Sequence, residues 1–344
     1  MSITVNRVEL DVDGLPLPLK RARRIRRSEP LRRLVAEHRV SVDDLIEPLF
    51  VVPGKNVHQE IASMPGVYHQ SVDRLMEDAK AAAALGIRAV LLFGLPPHKD
   101  ENASALSDPH GVVQQAIEAL KRALPELIVI ADLCACEYTS HGHCGIVGAD
   151  GIVDNDRTIA LLAQGALSYA RSGVDIIAPS DMMDGRVRAI RHVLDREGFS
   201  NTAILSYAVK YASAWYGPFR EAVDSTPAFG DRRTHQMDAP NVREALKEAL
   251  QDVDEGADMV MVKPGLPYLD VLWRVREAVN VPVAVYNVSG EYAMIKAAAK
   301  SGWLDEAAVV DEMLVGFKRA GADCIVSYFA RSFAQRRLNT RTPS

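Results

Sequence analysis

The chain has 344 residues, 48% of them hydrophobic and 25% charged, which is typical of a folded protein with a sizeable core. Its formal net charge is −5, so overall charge gives no reason to expect a nucleic-acid partner. No stretch approaches the length of about eighteen apolar residues that a membrane span needs, and the N-terminal segment lacks the apolar core of a signal peptide. These features predict a cytoplasmic protein that binds neither membrane nor nucleic acid.

The first distinctive segment is KRARRIRRSEPLRR (20–33), which has eight basic residues and one acid. A nucleic-acid patch is one interpretation, but no aromatic residue interrupts the run. We favour a solvated arm, or an arm that contacts another subunit. The predicted organisation is therefore an N-terminal arm over residues 1–40 and one catalytic domain over residues 41–344.

From about residue 45, short runs rich in β-branched residues alternate with amphipathic helical segments, the pattern of parallel βα units. Four helical segments end in a glycine that a strand follows at once, at Gly86, Gly173, Gly256 and Gly321. Tight αβ turns of this kind are what a (β/α)8 TIM barrel requires. A doubly wound open sheet is the alternative, and it is weakened because no G-x-G-x-x-G motif follows the first strand. The eight predicted strands are EPLFVV (47–52), RAVLLFG (88–94), LIVIADL (127–133), VDIIAPS (174–180), TAILSYA (202–208), ADMVMVK (257–263), VPVAVYNV (281–288) and ADCIVSYF (322–329).

In a TIM barrel the functional groups lie at the C-terminal ends of the strands, and the third predicted strand ends in DLCACEYTSHGHCG. Cys134, Cys136 and Cys144 therefore predict a catalytic zinc with an open fourth position. This requires a bend after the strand, because residues one apart point to opposite sides of an extended chain. If His141 or His143 were the fourth ligand the site would be closed and structural, and the spacing alone does not decide between these.

Two neighbouring strands each lead into a lysine. Lys210 follows the fifth strand in SYAVKYASAWYGPF, and Lys263 ends the sixth in MVMVKPG. A lysine at the mouth of a barrel is partly desolvated, which lowers its pKa and frees the amine to attack a carbonyl, and a second lysine nearby lowers the pKa further. The alternative is that each side chain extends from the rim into water. We predict a carbonyl substrate held as a Schiff base.

Two further regions could bind carboxylates. After the fifth strand, WYGPFREAVDSTPAFGDRRTHQMDAPN is too long for a plain βα loop and is predicted to be a lid. The seventh strand leads to Ser289, which opens a helix, and the eighth ends at Tyr328, so both face the same mouth. Two lysines with two anion sites indicate two carbonyl acids that become joined. The lid side chains that could clamp a carboxylate are Arg220, Arg232, Arg233 and Gln236.

These motifs together resemble the 5-aminolevulinate dehydratase (porphobilinogen synthase) family over nearly the whole chain. The segments that carry the resemblance are DLCACEYTSHGHCG, SYAVKYASAWYGPFRE, MVMVKPGLPYLD, VSGEYAM and SYFA. The resemblance implies a TIM-barrel hydro-lyase that condenses two 5-aminolevulinate molecules into porphobilinogen, with loss of two waters, in tetrapyrrole biosynthesis. A Schiff-base aldolase would need no three-thiolate zinc, and a noncatalytic barrel would leave the paired lysines unexplained.

The resemblance also implies roles for individual residues. Lys263 corresponds to the lysine that holds the propionate-side substrate, and Lys210 to the one that holds the acetate-side substrate. The three cysteines correspond to the ligands of the zinc-dependent class, and Asp132 to an aspartate near the zinc that could transfer protons. Arg220, Arg232 and Gln236 correspond to the acetate-side carboxylate clamp, and Ser289 and Tyr328 to the propionate-side one.

Two implications of the resemblance concern regulation and assembly. Glu248, in the segment EALKEALQDVDEGAD, stands at the position of a glutamate that binds an allosteric magnesium in some members. A lone glutamate on a solvated helix face commonly binds nothing. The N-terminal arm resembles a segment that wraps a neighbouring subunit, which implies a homo-oligomer, commonly an octamer.

Overall fold

The computed structural model describes residues 21–341 of the chain, with side chains as far as Asn339. The chain divides into two compact units, Met1–Arg39 and Val40–Ser344. In the first unit, a 3-10 turn at Ala22–Arg26 precedes the short helix α1 (Glu29–Leu34), and none of these residues is buried. Lys20 and the other arm residues before Arg21 lie outside the described residues, and the predicted subunit contacts of the arm stay a prediction.

The second unit is built around a closed parallel barrel. Strand β1 pairs with the last strand, β10, on one side and with β4 on the other, and the strands between them pair in sequence order. The predicted (β/α)8 TIM barrel is confirmed. Within the described residues the strands are β1 (Leu45–Val51), β2 (His58–Glu60), β3 (Tyr68–Gln70), β4 (Ala89–Gly94), β5 (Ile128–Leu133), β6 (Ile176–Pro179), β7 (Ala203–Lys210), β8 (Met259–Lys263), β9 (Val283–Asn287) and β10 (Cys324–Ser327).

Helices surround the barrel and connect its strands. Their apolar faces pack on strands whose residues are nearly all buried, because a barrel strand has the packed interior on one side and helices on the other. Among the described residues, no helix is long and apolar enough to cross a membrane. The remaining helices are α2 (Val72–Ala84), α3 (Val112–Ala123), α4 (Asn155–Arg171), α5 (Arg186–Arg196), α6 (Gly217–Ala222), α7 (Arg243–Asp254), α8 (Leu269–Ala278), α9 (Ser289–Lys300), α10 (Glu306–Arg319) and α11 (Ala330–Arg341).

All eight predicted barrel strands are present, and the four predicted turn glycines have positive φ angles of 92–107°. Such angles suit glycine because it lacks a Cβ atom. Several strand ends differ from the prediction by one or two residues, and two of these matter for the site: Lys210 is the last residue of β7 rather than a residue beyond it, and Tyr328 follows β10. The hairpin of β2 and β3 was not predicted, because three-residue strands are too short to show a clear alternation.

Candidate active site

The two predicted lysines lie side by side at the C-terminal end of the barrel. Lys210 on β7 and Lys263 on β8 are register partners, just beyond an irregularity in the pairing of these strands. Both side chains are buried. Lys210 Nζ donates a hydrogen bond to the carbonyl oxygen of Ser180. The pairing therefore places two amines next to each other at one end of the barrel interior.

Aromatic rings enclose the amine of Lys263. Its Nζ lies 4.3 Å from the ring centroid of Tyr286, 4.9 Å from that of Phe219 and 5.1 Å from that of Tyr207. Burial, and after it the charge of Lys210, lowers the pKa of Lys263 to about 7. A substantial fraction of this amine is therefore uncharged near neutral pH, which is the form that attacks a carbonyl.

Lys210 has the opposite electrostatic environment. Burial opposes its charge, but negative charge on the three-cysteine group, that of Cys144 first, together with other nearby acids attracts it, and the pKa of Lys210 is raised. The cation of Lys210 in turn stabilises negative charge on the cysteines. The pKa values of the two lysines are therefore shifted in opposite directions.

The three cysteines converge where β5 ends. After Leu133 the chain turns through a short 3-10 segment, Ala135–Glu137, which supplies the bend that the spacing required. Their Sγ atoms all lie within 4.8 Å of one another, and those of Cys134 and Cys136 are 3.4 Å apart. All three are buried and unbridged. Within residues 21–341, no histidine or carboxylate joins this group.

This donor set fits zinc. Three clustered thiols supply soft ligands, no histidine or carboxylate of the described residues joins them, and the positive side chains of Lys210 and Arg232 offset negative charge on the sulfur atoms. The alternative of a closed site with a histidine ligand finds no support in this geometry. His143 Nε2 instead donates to the carbonyl oxygen of Phe229 (3.0 Å), and the His143 amide donates to His141 Nδ1 (3.1 Å).

The predicted lid supplies three side chains that face inward. Arg232 and Gln236 are buried, and Arg220 is half-buried. Nη2 of Arg232 donates to the carbonyl oxygens of Gly142 (2.8 Å) and Ser225 (2.5 Å). The Nε atoms of both arginines and both amide atoms of Gln236 are buried without a hydrogen-bond partner in the protein. These orphaned donors are the arrangement expected of a carboxylate clamp that has no carboxylate in it.

Arg233 differs from the other three lid residues. Its side chain is 75% exposed and pairs at 3.7 Å with Asp231, so it does not join the clamp. Burial lowers the pKa of Arg220, and the positive charge of Arg232 lowers it further, which shows that the two inward guanidinium groups repel each other. A bound carboxylate would relieve this repulsion.

Ser289 and Tyr328 lie near the C-terminal ends of β9 and β10. Ser289 is the first residue of α9, and its Oγ accepts a hydrogen bond from the Phe219 amide at 2.9 Å. The hydroxyl of Tyr328 lies 3.0 Å from that of Tyr286. Ser289 and Tyr328 therefore contact Phe219 and Tyr286, two of the aromatic residues around Lys263, and their predicted carboxylate-binding role stays a prediction.

Asp132 lies on β5, two residues before the first cysteine. Its carboxylate is buried, Oδ1 accepts from Ser180 Oγ at 2.9 Å, and Oδ2 has no hydrogen-bond partner in the protein. Burial raises the pKa of Asp132 to about 6, against the attraction of Lys210 and Lys263. A carboxyl group with this pKa exchanges protons readily near neutral pH.

Comparison with known proteins gives the family. A family model described as delta-aminolevulinic acid dehydratase matches residues 19–336. A curated relative of that name from Synechocystis sp. is 56% identical over 321 residues, which is 92% of this chain and 98% of the relative. The chain belongs to the delta-aminolevulinic acid dehydratase family. A relative of the same name from Bacillus subtilis (strain 168) is 51% identical over 315 residues, which is 92% of this chain and 97% of the relative.

A solved structure from this family has the same fold. The delta-aminolevulinic acid dehydratase of Toxoplasma gondii ME49, determined with the reaction product porphobilinogen, superimposes with a TM-score of 0.93 at 45% identity. The match covers 95% of this chain and 96% of the other. The predicted family, the predicted dehydratase function and the predicted enzyme class, a lyase that makes porphobilinogen, are confirmed.

Several site residues have no motif that would have revealed them. Tyr207 and Tyr286 lie within strands, where their sequence pattern is that of core residues, and Phe219 lies in the predicted lid. Their rings come close to Lys263 only in the folded barrel. Ser180 ends a predicted strand, and its position between Lys210 and Asp132 depends on the pairing of three strands. The one sequence signal for Ser180 is that it is a polar residue at the end of a predicted barrel strand, as Asp132 and Lys210 are near the ends of theirs.

Glu248 lies apart from this dehydratase site, on α7. It is half-buried, and burial raises its pKa while Arg186 lowers it and Asp184 raises it. Among the described residues, Cys134, Cys136 and Cys144 form a cluster of possible ligands that is compact enough to hold a metal ion. Glu248 does not belong to such a cluster. Magnesium at Glu248 would therefore rely mainly on water for its ligands.

Proposed function

We propose that this dehydratase condenses two 5-aminolevulinate molecules through imines on Lys263 and Lys210, and that it belongs to the zinc-dependent class with Cys134, Cys136 and Cys144 as ligands. The observation that carries the proposal is the pair of buried lysines beside the three thiols, with opposite pKa shifts. Neither an aldolase nor a noncatalytic barrel explains both features.

The first step falls to Lys263. Its uncharged amine attacks the ketone carbon of the propionate-side substrate, the ketone oxygen leaves as water, and the resulting imine is an electron sink. A carbon next to the imine can then lose a proton and attack the second substrate. Tyr286, Phe219 and Tyr207 surround this amine, and its burial, together with the charge of Lys210, keeps part of it unprotonated near neutral pH.

The second substrate is held on the other side by Lys210 and the lid. Arg220, Arg232 and Gln236 offer unsatisfied donors for its carboxylate, while Ser289 and Tyr328 serve the carboxylate of the first. Binding two identical small molecules in fixed orientations removes much of the entropy cost of joining them. Asp132, with a pKa of about 6 and a free Oδ2, is placed to accept or return protons near Lys210.

The bound zinc would supply a Lewis acid, or a source of hydroxide, beside the acetate-side substrate. Three soft thiolate donors with an open position support this assignment. Unbridged thiols also support a reducing compartment, for which we propose the cytoplasm.

Three further properties follow from family resemblance alone. We propose that residues 1–40 form an arm that contacts a neighbouring subunit, that the chain assembles as a homo-octamer, and that magnesium at Glu248 activates it. Light scattering coupled to size-exclusion chromatography tests the assembly. Activity of Glu248→Gln with and without magnesium tests the activation, and equal stimulation of both proteins would refute it.

The experiment that tests the main proposal is incubation of the reduced protein with 5-aminolevulinate. We expect porphobilinogen to form, to disappear with a zinc chelator and to return when zinc is added back. Borohydride should trap substrate on two lysines. Product that is indifferent to the chelator would refute the zinc assignment but not the lysines, and a single trapped lysine without porphobilinogen would favour an aldolase.

A further inference from the structure

The lid helix α6 carries Arg220, and two residues from outside the lid hold its C-terminal end. The last carbonyl groups of a helix have no partner within the helix. His69 Nε2 lies 2.5 Å from the carbonyl oxygen of Ala222. Lys99 Nζ donates to the carbonyl oxygens of Val223 (3.2 Å) and Asp224 (2.5 Å). The end of the lid helix is thus bonded to the body of the barrel.

Asp100, the residue after Lys99, fixes the backbone at this position through two hydrogen bonds. The amide of Asp100 donates to the carbonyl oxygen of Tyr138 (3.2 Å), and the amide of Ser140 donates to the carbonyl oxygen of Asp100 (3.0 Å). These bonds tie the segment that carries Lys99 to the loop between Cys136 and Cys144. Lys99 therefore reaches the lid from a segment that is anchored next to the cysteines.

The turn that Lys99 holds is also the turn that Arg232 contacts. Ser225, the residue after Asp224, accepts a hydrogen bond from Arg232 Nη2, and the same nitrogen donates to the carbonyl oxygen of Gly142. Asp224 has a φ of 47°, so the chain reverses sharply at this point. A continuous set of contacts therefore runs from Lys99 through this turn to Arg232.

The inward position of the two arginines needs such support. Arg220 and Arg232 repel each other, and neither Nε has a partner in the protein. Lys99, whose side chain is 18% exposed, places a cation on the carbonyl groups at the end of α6, where positive charge is favourable.

We propose that Lys99 is a positioning residue that holds the lid closed and aligns Arg220 and Arg232 with the acetate-side carboxylate. This inference rests on the proposed function for the identity of that carboxylate. The contact with the Asp224 side chain (3.2 Å) is secondary, because that carboxylate is 88% exposed and exposed ion pairs contribute little. The bonds to the backbone carbonyl groups hold the lid.

The test compares four variants for KM, kcat and the rate at which trypsin cleaves after the exposed Arg233 in the absence of substrate. Lys99→Met removes every contact, and Lys99→Arg keeps a donor. Asp224→Asn removes only the ion pair, and it suits the positive φ. Lys80→Met, on the exposed face of α2, controls for the loss of a lysine. Thermal melting reports whether each variant folds.

For Lys99→Met we expect KM to rise by roughly tenfold with kcat changed less than about twofold, because saturating substrate still closes the lid. Cleavage after Arg233 should become several times faster, and Lys99→Arg should restore part of both properties. Asp224→Asn and Lys80→Met should match the original protein. Unchanged KM and cleavage in Lys99→Met would overturn the proposal, as would an Asp224→Asn variant that behaves like Lys99→Met.

Cleavage by trypsin does not depend on the protein's own catalytic activity, so it tests the role of Lys99 even if the protein makes no porphobilinogen. Failure of the proposed function would appear as absence of product from the original protein. Failure of this inference would appear as equal cleavage rates in the original protein and Lys99→Met. The two failures are therefore distinguishable.

Discussion

Lys210 and Lys263 are register partners on adjacent strands, yet their environments shift the pKa of the two amines in opposite directions. Burial and the neighbouring cation of Lys210 favour the neutral form of Lys263. The thiolates favour the charged form of Lys210. This asymmetry distinguishes two chemically identical groups, so that two identical substrates can be used in different roles.

The first prediction concerns the pH dependence of imine formation at Lys263. Only the neutral amine attacks, and the pKa of Lys263 is about 7, so the trapping rate should rise through pH 7 and level off above it. Borohydride trapping of 5-aminolevulinate at a series of pH values, with mass spectrometry of the modified lysine, measures this. A profile that still rises steeply at pH 9 would contradict the assigned pKa.

The second prediction concerns stability. The folded-state pKa of Lys263 lies below its unfolded value, so the unfolded chain binds the proton more tightly and the lysine destabilises the fold at neutral pH. Lys263→Met should raise the unfolding free energy at pH 7 by on the order of 1 kcal/mol or more, with about 1–2 °C in Tm for each kcal/mol.

The size of this stability effect depends on pH. The penalty is present in full below pH 7 and fades as the pH rises towards the unfolded pKa, so the gain in Tm should shrink between pH 7 and pH 9.5. Lys210→Met is the matched control. Because the pKa of Lys210 is raised, that variant should lose stability at pH 7. A gain in both variants would indicate a general effect of replacing a buried lysine by methionine.

The third prediction concerns metal binding at the cysteines. Cys136→Ser should bind zinc at least about 100-fold more weakly and lose activity, because residues outside the coordination shell alone contribute 10- to 100-fold. Titration with a competing chelator measures the affinity. Cys324→Ser is the control: Cys324 lies on β10, outside the three-cysteine group, and its substitution should leave zinc affinity unchanged. Equal affinity in Cys136→Ser would contradict the ligand assignment.

The fourth prediction concerns Gln236, whose two amide atoms are buried without partners. Gln236→Leu should raise KM, since a carboxylate donor is lost, while it increases the unfolding free energy by about 1–3 kcal/mol, since an unsatisfied polar group is removed. Steady-state kinetics and thermal melting measure the two effects. Gln335→Leu on the exposed face of α11 should change neither. A Gln236→Leu variant with both a higher KM and a lower unfolding free energy would indicate that Gln236 has a structural role.

The fifth prediction concerns the contact between the cysteine loop and the lid. A Cβ atom on Gly142 would lie 2.7 Å from the carbonyl oxygen of Thr226, and φ is 70°. Gly151 has a similar φ of 78° with nothing within 4 Å, so Gly151→Ala carries the backbone strain without the clash. We expect Gly142→Ala to raise KM by roughly tenfold, because small displacements of binding groups are costly. Equal kinetics in the two variants would refute the close contact as the cause.

The strands, the turn glycines and the chemistry of the site could be predicted from the sequence because each depends on local information. Alternating helical and β-branched segments indicate the barrel, and a barrel places the functional groups at strand ends. Lys263 and Cys134 could therefore be assigned to one mouth without any coordinates. The clamp residues required the family resemblance, because arginines in a long loop usually lie in solvent.

Only the tertiary structure determined how those groups act on one another. No pattern in the sequence shows that the thiolates raise the pKa of Lys210, that Ser180 contacts both Lys210 and Asp132, or that Lys99 holds the end of α6. These contacts join residues far apart in the chain, and burial sets their strength. The sequence by itself determined which groups are present and at which end of the barrel; distance and desolvation, which arise only when the barrel closes, decided their charge states and partners.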